Sequence, residues 1–93
     1  MEVVLKNEDI KISELGEERT FVSGTKNWRI KWAELFEEKF SVGDSVSYYD
    51  EDSQDTFIGV IDWMIVTEQG NVEVSLADTP LGRVDLEDLQ HFK

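Results

Sequence analysis

The chain has no cysteine, one proline (Pro80), one histidine (His91) and no long apolar run. Without cysteine there can be no disulfide, no thiolate metal site and no cysteine nucleophile. The longest purely apolar stretch, Trp63-Met64-Ile65-Val66, falls far short of the roughly 20 residues a membrane-spanning helix requires. Basic residues are also scarce, with 9 Lys and Arg against 21 Asp and Glu in 93 residues, a net charge of −12. Clustered Lys and Arg are what phosphate contacts need, so direct nucleic-acid binding is disfavoured and anionic membranes would repel the chain. The same field favours a basic protein partner. The start of the chain, Met1 to Asp9, has neither a basic leader region nor a long apolar segment, which argues against a secretory signal and for the cytoplasm.

What remains is a short chain that a core alone must hold together. Apolar residues make up 40% and ten residues are aromatic, too many for a disordered acidic tail. One domain, 1–93, is expected, because the length suits one core and not two. The charge is uneven. Residues 1–46 carry ten acids and seven bases; residues 47–93 carry eleven acids and two bases, and no Lys or Arg lies between Phe40 and Gly82.

The patterning predicts a mostly β protein. Short strands are expected at Val3-Val4-Leu5, at Ile10 and Ile12, and from Arg19 to Ser23. Trp28-Arg29-Ile30-Lys31-Trp32 alternates strictly and predicts a half-buried strand with Arg29 and Lys31 on its polar face. Trp28, Trp32, Leu35, Phe36 and Phe40 also fall near helical spacing, and 33–39 is rich in helix formers, which predicts one short helix there. Further along, strands are expected at Ser45–Tyr49, Phe57–Val66 (with Gly59 marking a bend or bulge), Val72–Leu76 and Arg83-Val84. A loop is expected from Asp50 to Thr56, a hairpin turn at 68–71 and one helical turn at 85–89.

From Val42-Gly43-Asp44-Ser45-Val46 onward, the order of turn, aromatic strand, acidic loop, Gly-Val-Ile strand, hairpin and closing Val-x-Leu-x-x-Leu resembles small SH3-like and Tudor-like barrels. The resemblance covers residues 40–92. It implies a small barrel or curved antiparallel sheet with a tendency toward binding, and names no ligand, since fold does not fix function. Residues 1–39 would add the N-terminal strands and the short helix.

Catalysis would have to rest on His91, a serine or paired carboxylates, and the chain has no glycine-rich phosphate loop or nucleophile-elbow pattern. A non-catalytic protein is expected. The loop Asp50-Glu51-Asp52-Ser53-Gln54-Asp55 opens like a calcium loop, but Asp55 and Ile61 stand where such a loop needs Gly and Glu. No metal and no cofactor is expected. The sharper reading is charge mimicry, in which a rigid β domain presents carboxylates to a basic nucleic-acid-binding groove. Its candidates are Asp50, Glu51, Asp52, Asp55, Asp62, Asp85, Glu87 and Asp88, with Glu37 and Glu38 as an extension. In size and charge the chain resembles small acidic inhibitors of phage and mobile elements, such as anti-restriction and anti-CRISPR proteins. Two alternatives stand beside it. One is a Tudor-like module whose Tyr48, Tyr49 and Trp63, with Phe57 nearby, hold a cationic peptide side chain by cation–π attraction. The other is a structural subunit of a larger assembly.

Overall fold

Strand β7, Asp55–Thr67, is the axis of the molecule. In the computed structural model, which describes residues 3–92, it is flanked over its first half by β6 (Ser45–Asp50) and over its second half by β3 (Lys26–Ile30). Strand β8 (Val72–Ala77) runs along its other edge. Outside these lie β2 (Glu18–Thr20) on β3, β9 (Arg83–Asp85) on β8, and β10 (Leu89–His91) on β6. A second sheet of β1 (Ile10–Ile12), β4 (Trp32–Leu35) and β5 (Glu38–Ser41) completes the described strands. Every pairing is antiparallel, so the chain is mostly β, as its patterning predicts.

Alternation explains the inward faces. Val72, Val74 and Leu76 of β8 are buried while their neighbours are half-exposed, and they meet Val66, Met64 and Ile61 across the strand pair. One apolar cluster takes these residues together with Val46, Val84, Leu86 and Leu89, and also Ile10, Ile30, Ala33 and Phe40 from the first forty residues. The two sheets therefore share a core. The bulge falls three residues beyond Gly59, between Ile61 and Trp63. Before it the odd residues Gly59 and Ile61 face inward, and after it Met64 and Val66 do. Gly59 answers a different need. A Cβ there would lie 2.9 Å from the Ala77 carbonyl oxygen and 3.1 Å from Thr79 Cγ2, so glycine lets the chain leaving β8 pass close by.

Several expectations are corrected. The short helix at 33–39 is a β-hairpin in which Trp32–Leu35 pairs with Glu38–Ser41. Its two turn residues, Phe36 and Glu37, have φ of 50° and 67°, the left-handed pair of a type I′ turn. Helical spacing fits this segment, but period 2 fits it too. The neighbour decides, because Ile10 and Ile12 of β1 stand across from Leu35 and Ala33, and that pairing buries Ala33 and Phe40 almost completely. The expected strand 28–32 divides at Lys31, where the chain passes from the large sheet to the small one. Residues 3–5 do not pair as a strand. Val3 and Leu5 instead pack on the core, and the Lys6 N–H donates to the Gly70 carbonyl at 3.0 Å. The helical turn expected at 85–89 is present, as a 3₁₀ turn over Leu86–Asp88, but the strand β10 that follows it stands where the patterning predicts none.

Candidate functional site

Seven of the eight acidic candidates come from two segments that the sheet sets side by side. The first is the β6–β7 loop, where Asp50 stands opposite Asp55 and Glu51 and Asp52 extend beyond the pair. The second is the 3₁₀ turn with its flanks, which carries Asp85, Glu87 and Asp88. They meet because Leu89 pairs with Tyr48, so antiparallel continuation brings Asp88 alongside Tyr49. Tyr48, Tyr49, Asp50, Glu51, Asp52 and Asp88 line a shallow groove of about 330 Å³.

The electrostatics follow from this crowding. Burial first, and then the carboxylates of Asp88, Asp50, Asp52 and Asp85, push the Tyr48 hydroxyl above its ordinary pKa of 10.0. Asp85 is also raised, by partial burial first and then by Asp88 and Glu87, with Lys6 acting against them. Among the described residues, none of these carboxylates lies within ion-pair distance of a Lys or Arg. Four carboxylates around one groove, none of them ion-paired among the described residues, make a region of negative potential that an incoming cation would relieve.

Some of these acids also have local duties. The Asp50 carboxylate accepts from the Asp52 N–H at 3.3 Å and from the Ser53 hydroxyl at 2.9 Å, which builds the turn. Glu87 accepts from the Asn7 amide at 2.6 Å, tying the 3₁₀ turn to the N-terminal segment. Among the described residues no three Asp, Glu or His side chains converge as a cation cage would need.

The structure separates other candidates. Asp62 lies at the β7 bulge on the outer face, at the far end of an exposed strip that runs through Val60 and Ile58 toward Tyr49. Glu38 shares a second hollow, of about 610 Å³, with Glu87 and the exposed ring of Phe36, whereas Glu37 sits in the turn above it. The expected aromatic trio is not assembled. Tyr48 and Tyr49 line the acidic groove, but Trp63, beyond the bulge, lines hollows with Phe21 instead. Alternation explains part of this, since Tyr48 faces Phe57 on the inner side and Tyr49 is exposed. Arg29 and Lys31 line different hollows, Arg29 with Trp63 and Lys31 with Trp32. Lys39 lies over the Trp32 ring at 4.4 Å.

His91, the one imidazole, is a packing residue. Its ring stacks on Phe40 with centroids 4.3 Å apart, and its Nε2–H donates to the Lys39 carbonyl at 2.8 Å. No local pattern signals this role, because the contact depends on β10 pairing with β6. No family model, curated protein or solved structure matches the chain. No described helix is long and apolar enough to cross a membrane.

Proposed function

We propose that the chain is a non-catalytic binding domain whose acidic end engages a basic protein. In the most concrete form it occupies the nucleic-acid-binding surface of that partner, for instance a defence nuclease, and inhibits it by steric and electrostatic occlusion. The observation that carries this reading is the convergence of four carboxylates, Asp50, Glu51, Asp52 and Asp88, on the Tyr48–Tyr49 groove, with Asp55, Asp85 and Glu87 on the same two segments and no Lys or Arg paired to any of the seven among the described residues. Rows of fixed negative charge on a rigid sheet can stand in for a phosphate backbone. They would speed encounter with a basic surface and lose that advantage as salt rises.

Two further features support a protein partner. The strip of Tyr49, Ile58 and Val60 beside the acids supplies apolar area next to a charged rim, the usual composition of an interface. The order β6, β7, β8, β9, 3₁₀ turn and β10, with β10 returning to β6, supports an SH3-like reading of residues 40–92.

The test is affinity capture from host lysate on the immobilised chain, eluting first with duplex DNA and then with rising salt. Release of a basic nucleic-acid-binding protein by DNA is the expected result. The combined variant Glu51→Gln, Asp52→Asn, Asp88→Asn, which spares the turn-building Asp50, should lose that protein. A partner that resists both DNA and salt, and is retained by the variant, would refute charge mimicry.

A further inference from the structure

The outer face of β2, β3, β7, β8 and β9 carries a second feature, of opposite character. All three arginines of the chain, Arg19, Arg29 and Arg83, line it. Register places them there. Arg19 stands opposite Asn27, Arg29 opposite Ile65, and Arg83 in one row with Ser75 and Trp63. Two hollows, of about 240 and 600 Å³, adjoin on this face, and Phe21 and Trp63 line both. Ile65 floors the smaller one and is 2% exposed, yet lies outside the main core cluster.

The guanidinium groups are held on rings. Arg29 lies 5.3 Å from the Trp63 ring centre and Arg83 lies 4.0 Å from that of Phe21. Their charges are not equally free. Glu17 pairs with Arg19 at 3.4 Å and Glu73 with Arg83 at 3.2 Å. Among the described residues no carboxylate lies within ion-pair distance of Arg29. Stacking on a ring orients a guanidinium without using its in-plane N–H donors. Arg29 is therefore positioned and un-neutralised, beside two aromatic walls.

We propose that this cleft binds a small planar aromatic anion, with its ring against Trp63 and Phe21 and its single anionic group on Arg29. One free guanidinium beside two already paired selects one oxyanion. The apolar walls select a flat ring. The net charge of −12 selects a small ligand over a strand, because a polyanion would carry its charge past the acidic remainder of the surface. A carboxylate and a phosphate ester offer a guanidinium the same oxygen fork, so the shared chemistry is a ring bearing an oxyanion, and two probes separate the sources.

The experiment is a titration of the whole chain followed by nitrogen–proton correlation NMR at the Trp63 indole N–H and the Arg29 Nε–H. AMP and phenylacetate are the probes. Adenosine supplies a ring without the charge, and inorganic phosphate the charge without the ring. At least one probe should shift both signals and saturate with a Kd of about 1 mM or tighter, with both controls about tenfold weaker or more. AMP alone binding would identify the anion as a phosphate ester, and phenylacetate alone as a carboxylate. Arg29→Gln should weaken binding about tenfold or more, and Arg29→Lys should retain part of it and keep the test open if the first variant does not fold. Asp52→Asn, at the acidic end, should leave binding unchanged. The proposal fails if neither probe saturates, if Arg29→Gln binds as the parent does, or if a single-stranded oligonucleotide binds more tightly than AMP.

Discussion

Replacing Glu37 by glycine should stabilise the protein, and the same change would destabilise it if residues 33–39 were helical. Glu37 has φ of 67° in the two-residue turn between β4 and β5. A residue with a Cβ pays about 1–2 kcal/mol to sit in the left-handed region. Glycine avoids that penalty but loses about 0.5–1 kcal/mol more backbone entropy on folding. The difference leaves Glu37→Gly more stable by about 0.5–1 kcal/mol. Glu37→Ala is the control, since it removes the same carboxylate and keeps the φ penalty. In a helix interior the order would reverse, with alanine ahead of glycine by about 0.8–1 kcal/mol. The sign of the glycine–alanine difference therefore reports the backbone conformation itself. Urea denaturation followed by tryptophan fluorescence gives that difference. A thermal melt should show glycine above alanine by about 2–8 °C, at 4–8 °C per kcal/mol for a chain of this size. An alanine variant as stable as the glycine variant, or more so, would refute the hairpin.

Gly59→Ala should destabilise by about 1–3 kcal/mol, because its methyl would press on the Ala77 carbonyl at 2.9 Å, a backbone atom with little room to yield. An unchanged urea midpoint would mean the chain does not pass that closely. Asp85 gives a pH prediction. Its folded pKa lies above the ordinary 3.8, so between the two values the folded state binds more protons than the unfolded one. The Asp85 contribution to stability should therefore be most favourable at low pH and be lost as pH rises through its folded pKa. Asp88→Asn removes the largest of the neighbouring charges that raise it and should lower the Asp85 titration midpoint in carboxyl NMR. An unmoved midpoint would mean that Asp88 is not the neighbour described.

The sequence made some elements legible because local pattern and tertiary partner agree. Val72, Val74 and Leu76 alternate, and β8 buries those three. Val42-Gly43-Asp44 reads as a turn, and the Asp44 carboxylate accepts from the Ser41 N–H at 2.9 Å to close it. Residues 33–39 were misread because two periods fit one short segment, and the arbiter, β1, lies some twenty residues upstream. Strand β10 was missed for a related reason. Leu89-Gln90-His91 has too few residues to show a period, and its strand character comes wholly from pairing with β6.

The site residues divide in the same way, and the β7 bulge shows why. A strand read as strict alternation from Phe57 would put Trp63 inward with Gly59 and Ile61, and Met64 outward. One extra residue between Ile61 and Trp63 reverses this. Met64 and Val66 enter the core, and Trp63 turns to the arginine-lined face. A one-residue shift moves every later side chain to the other side of a sheet, so Asp62, singled out for its charge, has its clearest effect through register. The acidic end needed no such reversal, because its first four carboxylates lie within one hairpin loop that composition alone could find. The arginine cleft draws on five strands, and its three arginines are 10 to 64 positions apart. Arg19, Arg29 and Arg83 become neighbours only when β3 pairs with β2 and β7, and β8 with β7 and β9.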